Sequence, residues 1–248
     1  MALSDNLASL HKQEEDIRAD SHSAIAADRA LSDHLKAVHD ALDHLIELVV
    51  VESKSDDDRH TTQLFVIRLF NVGVSVLKLG LSGYYQQAFQ LLRDALELVN
   101  LVDLFRADRA KIAEWRTADN KKLKKVFWPA AVRDALAKLP QYQGQKAGRD
   151  KAYALFSEHA AHTTYRGFKL VSPGNSPRLG PFLDVTLLRA LLEDMGRHLA
   201  HATIALSTLF DAGLPLPTLQ AKGAYIEKLR QYHEKYLCNK QPAASHTQ

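Results

Sequence analysis

The chain has 248 residues, of which 46% are hydrophobic and 25% are charged, a composition that is typical of globular proteins and excludes collagen-like and low-complexity chains. Its single cysteine, Cys238, excludes an internal disulfide and a metal site built from several cysteines. The net charge of +3 combines an acidic segment, 1–60, with 14 acidic and 6 basic residues, and a basic segment, 106–151, with 13 basic and 5 acidic residues, which could attract each other within one chain or between two.

The N-terminal segment carries a heptad pattern, which predicts helices that pack lengthwise against another helix. One helix over 3–49 would be about 70 Å long, too long for a compact domain of this size. We therefore expect either two helices, with Asp20 and Ser21 able to cap the second, or an arm that pairs with a second subunit. The apolar heptad positions are Leu3, Leu7, Leu10, Ile17, Ala24, Leu31, Leu35, Val38, Leu42, Leu45 and Val49.

A polar stretch over 53–62 predicts a loop, with Thr61 or Thr62 as the N-cap of the helix that follows it. The next two helices are predicted over 62–81 and 84–106. Both are apolar on most sides, which is typical of helices at the centre of a bundle. Gly83 is expected to break the connection between them.

The most apolar run, 64–81, is close to the length of a membrane span, but it contains Arg68 and Lys78. We interpret it as a buried core helix and expect no membrane interaction. The N-terminus has no basic region followed by an apolar region, so no signal peptide is predicted and a cytoplasmic location is expected.

The later part of the chain is also predicted to be helical, except for one irregular stretch. Gly and Pro are concentrated in 163–182, which predicts a long loop or a small hairpin. Such loops often carry function. The tail 239–248 is expected to be disordered. The helices are predicted over 110–118, 129–139, 150–162, 184–211 and 217–237, with a linker over 141–148.

These elements predict an all-α protein, an up-and-down helical bundle of about seven or eight helices with one small irregular or hairpin insertion near 163–182. Segment 1–58 would form the N-terminal heptad helices and a dimerisation arm, and 59–238 the bundle core. The core should come mainly from 64–81, 84–105 and 187–210. The protein is expected to be a homodimer through its N-terminal helices.

Three helices carry polar residues at spacings of three and four, so that each set shares one helix face. Each set is either a solvated stripe or, if two sets face each other, the wall of a polar cavity. Arg93 and Glu97 are spaced to form an ion pair, which would mark a candidate site if it were buried. The sets are Gln86, Gln90, Arg93, Glu97 and Asn100; Arg68, Asn71, Ser75 and Lys78; and Arg189, Glu193, Arg197 and His201.

Histidine spacings suggest two further kinds of site. Glu158, His162 and His201 could form a mononuclear metal site, although such spacings arise easily by chance among 12 histidines, and we expect no metal and no cofactor. HEPN ribonucleases, which are all-helical, carry an Arg, then four to six intervening residues, then a His, and Arg29 and His34 match that spacing. In such a site Arg would hold a phosphate and His would act as acid or base.

A lysine-rich stretch near two tryptophans predicts either a solvated loop or a surface for nucleic acid, through phosphate contacts and base stacking. Its candidate binding residues are Lys121, Lys122, Lys124, Lys125 and Trp128.

Residues 80–210 resemble a group of prokaryotic all-helical proteins known only as a domain of unknown function. A Gly, Ala, Leu-Arg-x-x-x-Glu block precedes a Trp and a Ser-His block before a Gly-rich loop. The matching positions are Gly83, Ala88, Leu92, Arg93, Glu97, Trp115, Ser157, His162 and Gly167. The resemblance implies a bacterial cytoplasmic helical domain, and it implies no reaction. It also implies that Arg93, Glu97 and His162 act as a group.

The sequence thus favours a non-catalytic binding or regulatory module that self-associates. The alternative is a HEPN-like metal-independent ribonuclease or another enzyme acting on phosphate esters, with a nucleic acid or phosphate ligand. The catalytic candidates for that alternative are Arg93, Glu97, His162, Arg197 and His201.

Overall fold

The computed structural model describes residues 4–49, 56–162, 164–210 and 214–238, and within these ranges it contains helices and no strand. The all-α helical bundle is therefore confirmed. Its helices are α1 (Asp5–Ala27), α2 (Arg29–Val49), α3 (Asp57–Leu81), α4 (Tyr85–Ala107), α5 (Ala110–Arg116), α6 (Asn120–Lys122), α7 (Pro129–Ala137), α8 (Lys146–Phe156), α9 (Val185–Leu209) and α10 (Leu216–Tyr236). Helix α6 is a single turn that continues into a π turn, Leu123–Phe127.

The centre of the bundle consists of α2, α3, α4 and α9, with α9 packed against the other three. Around this centre, α1 and α10 lie on α2, whereas α7 and α8 lie on α4. Leu69, Leu92 and Leu191 are among the large side chains that the core encloses completely. The predicted core of α3, α4 and α9 is thus correct, and α2 adds a fourth central helix.

Gly83 connects α3 and α4 with a φ of 83°, a backbone conformation that favours glycine. A Cβ at this position would lie 2.5 Å from the carbonyl oxygen of Phe182, so the close approach of the two backbones also requires glycine. The predicted break at Gly83 is confirmed, and it brings the chain just before α9 against the α3–α4 turn.

Two predicted helix starts are wrong. The N-terminal segment divides at Asp28, whose carboxylate accepts hydrogen bonds from the backbone N–H groups of Ala30 and Leu31, and not at Asp20 and Ser21. Ser21 is buried inside α1, and its hydroxyl donates to the carbonyl oxygen of Leu81 at 2.9 Å.

Helix α3 likewise begins at Asp57 with Asp56 as its N-cap, and not at Thr61 or Thr62. The hydroxyls of Thr61 and Thr62 donate to backbone carbonyls one turn earlier in the same helix. The Asp-rich segment 56–58 therefore starts a helix, because a carboxylate at the N-cap accepts hydrogen bonds from the otherwise unpaired N–H groups of the first turn.

The irregular insertion contains two short 3₁₀ segments, Arg166–Val171 and Pro173–Asn175, within the part that the structure describes, and no hairpin. One backbone hydrogen bond, from Arg178 N to Val171 O at 3.0 Å, closes this loop. The irregular interpretation is therefore correct and the hairpin is not. Residues 163 and 239–248 lie outside the described residues, so the predicted disordered tail does too.

The heptad positions of α2 are used within the chain. Leu31, Val38 and Leu45 are fully buried in the core of the same chain. Helix α1 is different, because its buried residues are only Ile17, Ser21 and Ile25. A second subunit that used the heptad pattern would therefore have to contact α1, because the seam of α2 is buried within its own chain.

Helix α3 is long and apolar enough to cross a membrane by length and composition. In this protein it packs against α2, α4 and α9, and its polar residues Arg68, Asn71 and Lys78 are exposed. These contacts are those of a core helix with one solvated stripe.

Candidate anion-binding site

A cleft of about 440 Å³ lies between α4, α8 and α9; it is called the anion cleft below. Its wall combines apolar and polar side chains. The apolar residues are Leu96, Val99 and Ala152, and the polar ones include Asn100, Arg149, Tyr153, Arg197, His198 and His201. The described lining residues include two arginines and two histidines but no carboxylate. Such a cleft is suited to a small ligand that carries negative charge.

Asp103 lies directly behind this wall, and its side chain is fully buried. Its Oδ2 accepts hydrogen bonds from Arg149 Nη2 at 2.7 Å and from His201 Nε2 at 2.9 Å. Its Oδ1 accepts one from Arg106 Nη1 at 3.3 Å. Burial alone would raise the pKa of Asp103, but the hydrogen bonds and positive charges of His201 and Arg149 outweigh it, and the pKa lies below its usual value. Asp103 is thus a buried, ionised carboxylate.

Arg149 is held rigidly at the start of α8. Besides Asp103, its guanidinium donates to Asn100 Oδ1 and to Gln145 Oε1, and it lies 5.1 Å from the ring centre of Tyr142. Its Nε–H is buried and has no hydrogen-bond partner among the described residues. The side chain therefore needs no rearrangement to present positive charge to the cleft.

The two histidines of the cleft differ in their surroundings. Because the Asp103 carboxylate accepts from His201 Nε2, that nitrogen carries a proton. Burial, together with the positive charges of Arg197 and His201, lowers the pKa of His198 to about 3. His198 is therefore neutral near pH 7, and its ring packs edge-on against Phe156.

Arg197 stands at the open side of the cleft, one turn before His201 on α9. It is exposed, and its one described ion pair, with Asp194, is long at 3.4 Å. It can therefore turn toward a ligand without breaking a strong interaction, whereas Arg149 is fixed. Together they form one fixed and one adjustable cation.

The other predicted catalytic candidates do not line the cleft. Arg93 and Glu97 form the predicted ion pair at 2.9 Å, and Arg93 also donates to Ser157 Oγ at 3.0 Å and to the hydroxyl of Tyr153. Through Tyr153, this pair connects α4 to α8 beside the cleft. Tyr153 lines the cleft and lies between it and the ion pair. His162 is exposed at the end of the π turn that follows α8, and no hydrogen bond or ion pair joins it to Arg93 or Glu97 within the described residues.

The metal and HEPN-like arrangements are not formed by the residues that suggested them. Among the described residues, no group of three or more His, Cys, Asp or Glu side chains could hold a metal ion, and Glu158 pairs with Arg166. His34 is buried, with its Nδ1 2.9 Å from the hydroxyl of Tyr232, whereas Arg29 is exposed. The Arg29 and His34 spacing therefore marks a helix contact and not an open site.

The predicted binding residues are exposed. Lys121, Lys122, Lys124 and Lys125 lie on α6 and the π turn, and Trp128 follows with 57% of its surface exposed. None of them lines the anion cleft.

Sequence reasoning missed Asp103 and Arg149. Asp103 continues the polar line of α4 three residues after Asn100, so the spacing did carry a signal for it. Arg149 falls beside a stretch that was interpreted as a linker, whereas α8 in fact begins at Lys146. His201 and Arg197 were named as candidates, but their partner across the core could not be found from helix spacing alone.

The chain matches no known protein family, no curated protein and no solved structure. The resemblance to the helical domain of unknown function stays a hypothesis.

Proposed function

We propose that the protein is a non-catalytic binding or regulatory module that holds a small phosphorylated ligand in the anion cleft. One observation carries this proposal: the described cleft wall presents arginines and histidines without a carboxylate, and the nearest buried carboxylate, Asp103, is already neutralised by Arg149, Arg106 and His201. Arginine forms two parallel hydrogen bonds to phosphate, which favours phosphate over a single-point anion. The apolar wall of Leu96 and Val99 would contact the rest of the ligand.

The proposal is tested by calorimetric titration with inorganic phosphate, a nucleoside monophosphate and the matching uncharged nucleoside. Arg197→Ala should weaken phosphate binding about 10- to 100-fold, the range for a hydrogen bond to a charged group. Arg189→Ala is the matched control, since Arg189 also lies on α9 and also makes one described ion pair, with Asp28. Equal binding of nucleoside and nucleotide, or equal loss in both variants, would contradict the proposal.

A second candidate is an enzyme that acts on phosphate esters, and the Asp103–His201 pair favours it. A carboxylate that fixes the protonated nitrogen of a histidine leaves the other nitrogen oriented to accept or donate a proton. Turnover of a chromogenic phosphate ester in the presence of a chelator tests this candidate. His201→Gln should abolish turnover but leave phosphate binding within a few-fold, whereas absence of turnover in the unaltered protein favours the binding module.

Self-association and a bacterial, cytoplasmic setting belong to the same proposal. The heptad pattern and the exposed face of α1, where Leu7 is 39% exposed, support a homodimer. Light scattering after size-exclusion chromatography measures the mass directly. Leu7→Glu should convert a dimer to a monomer if α1 forms the interface, and a monomeric unaltered protein would remove this part of the proposal.

A further inference from the structure

A second surface, distinct from the anion cleft, combines exposed positive charge with exposed aromatic area. Lys121, Lys124 and Lys125 are exposed on α6 and the π turn, and Trp128, which follows the π turn in an extended conformation, is exposed as well; this set is called the lysine face. Phe127, between Lys125 and Trp128 in the chain, is buried and anchors the segment in the core. The fold thus fixes the backbone while presenting these side chains to solvent.

The charge of the lysine face is not neutralised by its neighbours. Lys121, Lys124 and Lys125 form no ion pair within the described part of the chain. Asp119, the nearest carboxylate in sequence, caps α6 by accepting from Lys122 N at 2.7 Å. Glu114 contacts Lys111 and Lys122 instead. Three positive charges are therefore available to an external anion.

An apolar groove of about 310 Å³ opens beside the lysine face; it is called the aromatic groove below. Phe65, Trp115 and Phe127 line it, and Asp94 and Glu97 contribute carboxylates. Phe127 and Pro129 both line this groove, so Trp128 lies between two groove residues in the chain. A flat ring could enter the groove between the aromatic walls, whereas both carboxylates are already paired, Asp94 with Arg68 and Glu97 with Arg93.

We propose that the lysine face and the aromatic groove together bind single-stranded nucleic acid. The lysines contact successive phosphates, Trp128 stacks on one base, and the aromatic groove takes an adjacent unstacked base. Proteins that bind single strands combine these two elements, a cationic track and aromatic platforms. A duplex would not fit, because its bases are stacked and paired and cannot enter the groove.

This surface is independent of the anion cleft and of the function proposed for it. Asp94, Leu98 and Leu101 of α4 face the aromatic groove, whereas Leu96 and Asn100 face the cleft. At 100° per residue these two sets lie on opposite sides of the helix. Either site can therefore be removed without touching the other.

Intrinsic fluorescence provides the binding assay, since both tryptophans of the chain, Trp115 and Trp128, belong to this surface. Oligonucleotides of about ten nucleotides, as DNA and as RNA of the same sequence, are titrated between 50 and 200 mM salt. We expect quenching by both single strands, or by one of them if the sugar is recognised, and little by the duplex. An abasic oligonucleotide of equal length should bind roughly tenfold more weakly, because it lacks the stacking contacts.

Three variants distinguish this surface from general electrostatic attraction. In the triple variant Lys121→Ala, Lys124→Ala, Lys125→Ala, the slope of the logarithm of the binding constant against the logarithm of salt concentration should decrease in magnitude by about 2. The variant should also bind at least about tenfold more weakly. The matched control Lys12→Ala, Lys151→Ala, Lys169→Ala removes the same charge from exposed positions elsewhere and should change binding less than about threefold. Trp128→Ala should weaken binding roughly 5- to 100-fold, measured by anisotropy of a labelled strand.

The proposal is overturned if no single strand binds at 50 mM salt, if both triple variants lose affinity equally, or if the abasic strand binds as tightly as the normal one. A membrane surface would be identified instead if vesicles rich in anionic lipid bound more tightly than the oligonucleotides and the lysine triple variant lost this vesicle binding. Arg197→Ala should leave strand binding unchanged. The strand-binding proposal can therefore fail without affecting the proposal that the anion cleft binds phosphate, and the reverse also holds.

Discussion

The wall of the anion cleft and the lysine face accommodate charge in opposite ways. Behind the cleft wall, Asp103 of α4 is buried and contacted by Arg149, His201 and Arg106 at 2.7 to 3.3 Å. The lysine face, on α6 and the π turn, is solvated, and its lysines make no ion pair within the described residues. A buried charge is tolerated only when it is paired, whereas an exposed charge needs no partner because water screens it.

The comparison separates two roles that sequence composition cannot separate. Charges of the buried network hold α4, α8 and α9 together and pre-orient the cleft, so their removal should affect stability and function together. Charges of the lysine face contact only solvent, so their removal should affect binding alone. Stability measurements on variants from both sides therefore test the interpretation directly.

The largest effect is expected at Asp103. Asp103→Ala would leave Arg149 partly buried without its carboxylate, and breaking such a pair lowers the free energy of unfolding by about 3–5 kcal/mol. Urea denaturation followed by circular dichroism measures the loss. Asp103→Asn is the control, because its amide oxygen still accepts a hydrogen bond. Its free energy of unfolding should decrease clearly less than that of Asp103→Ala. A loss below about 1 kcal/mol for Asp103→Ala would mean that the network does not support the fold.

A pH-dependent loss of stability is expected from a second buried polar group, His44. Its Nε2 donates to Ser207 Oγ at 2.9 Å, and its ring stacks on Tyr225. Burial, with a smaller effect of Lys222, lowers the pKa of His44 to about 4. Because the unfolded chain has a pKa near 6.5, it binds more protons below that pH, and stability falls as pH decreases from 6.5 toward 4. The loss should reach about 2 kcal/mol between pH 6.5 and 5.

His44→Gln isolates this contribution, since an amide can still donate to Ser207 but does not titrate. Denaturation curves at pH 7, 6 and 5 should show a shallower decline for the variant than for the unaltered protein. His198, whose pKa is also lowered, is present in both proteins and cancels in the difference. Parallel declines would show that His44 is not held neutral in the fold.

The positions of the central helices followed from sequence because they depend on local signals. Gly83 breaks the chain between two apolar helices as predicted, with a positive φ, and α7 begins at Pro129, where the helix over 129–139 was predicted to start. Ser21 and Asp28 had similar capping propensity, and the choice between them depends on a tertiary hydrogen bond from Ser21 to the end of α3. No spacing within α1 could have revealed that bond.

The candidate site was only half predictable for the same reason. Arg93 and Glu97 are four residues apart on one helix, so their pairing could be read from the sequence and is confirmed at 2.9 Å. Asp103 and His201 are separated by 98 residues and meet only because α4 packs against α9. Helix periodicity shows which residues share a face, but it does not show which face another helix covers.

A smaller effect on the free energy of unfolding is expected when two of the arginine–carboxylate pairs that involve α4 are compared, Arg93–Glu97 and Arg68–Asp94. Arg93 is about three-quarters buried and contacts Glu97, Tyr153 and Ser157, whereas Arg68 pairs with Asp94 at the surface. Arg93→Ala should lower the free energy of unfolding by about 1–2 kcal/mol, near the low end for hydrogen bonds to charged groups. Arg68→Ala should lower the free energy of unfolding by less than about 1 kcal/mol. Equal losses in urea denaturation would contradict the burial argument.

The smallest effect on stability is expected from the lysine face. The triple variant Lys121→Ala, Lys124→Ala, Lys125→Ala removes three neighbouring like charges that make no described ion pair, so the folded state loses repulsion and no contact with the core. The free energy of unfolding should stay within about 0.5 kcal/mol of the unaltered protein. Because the repulsion is screened by salt, any gain in stability should be larger at 10 mM than at 500 mM salt. A marked loss of stability, measured in the same urea series, would mean that these lysines stabilise the π turn and are not free to bind a ligand.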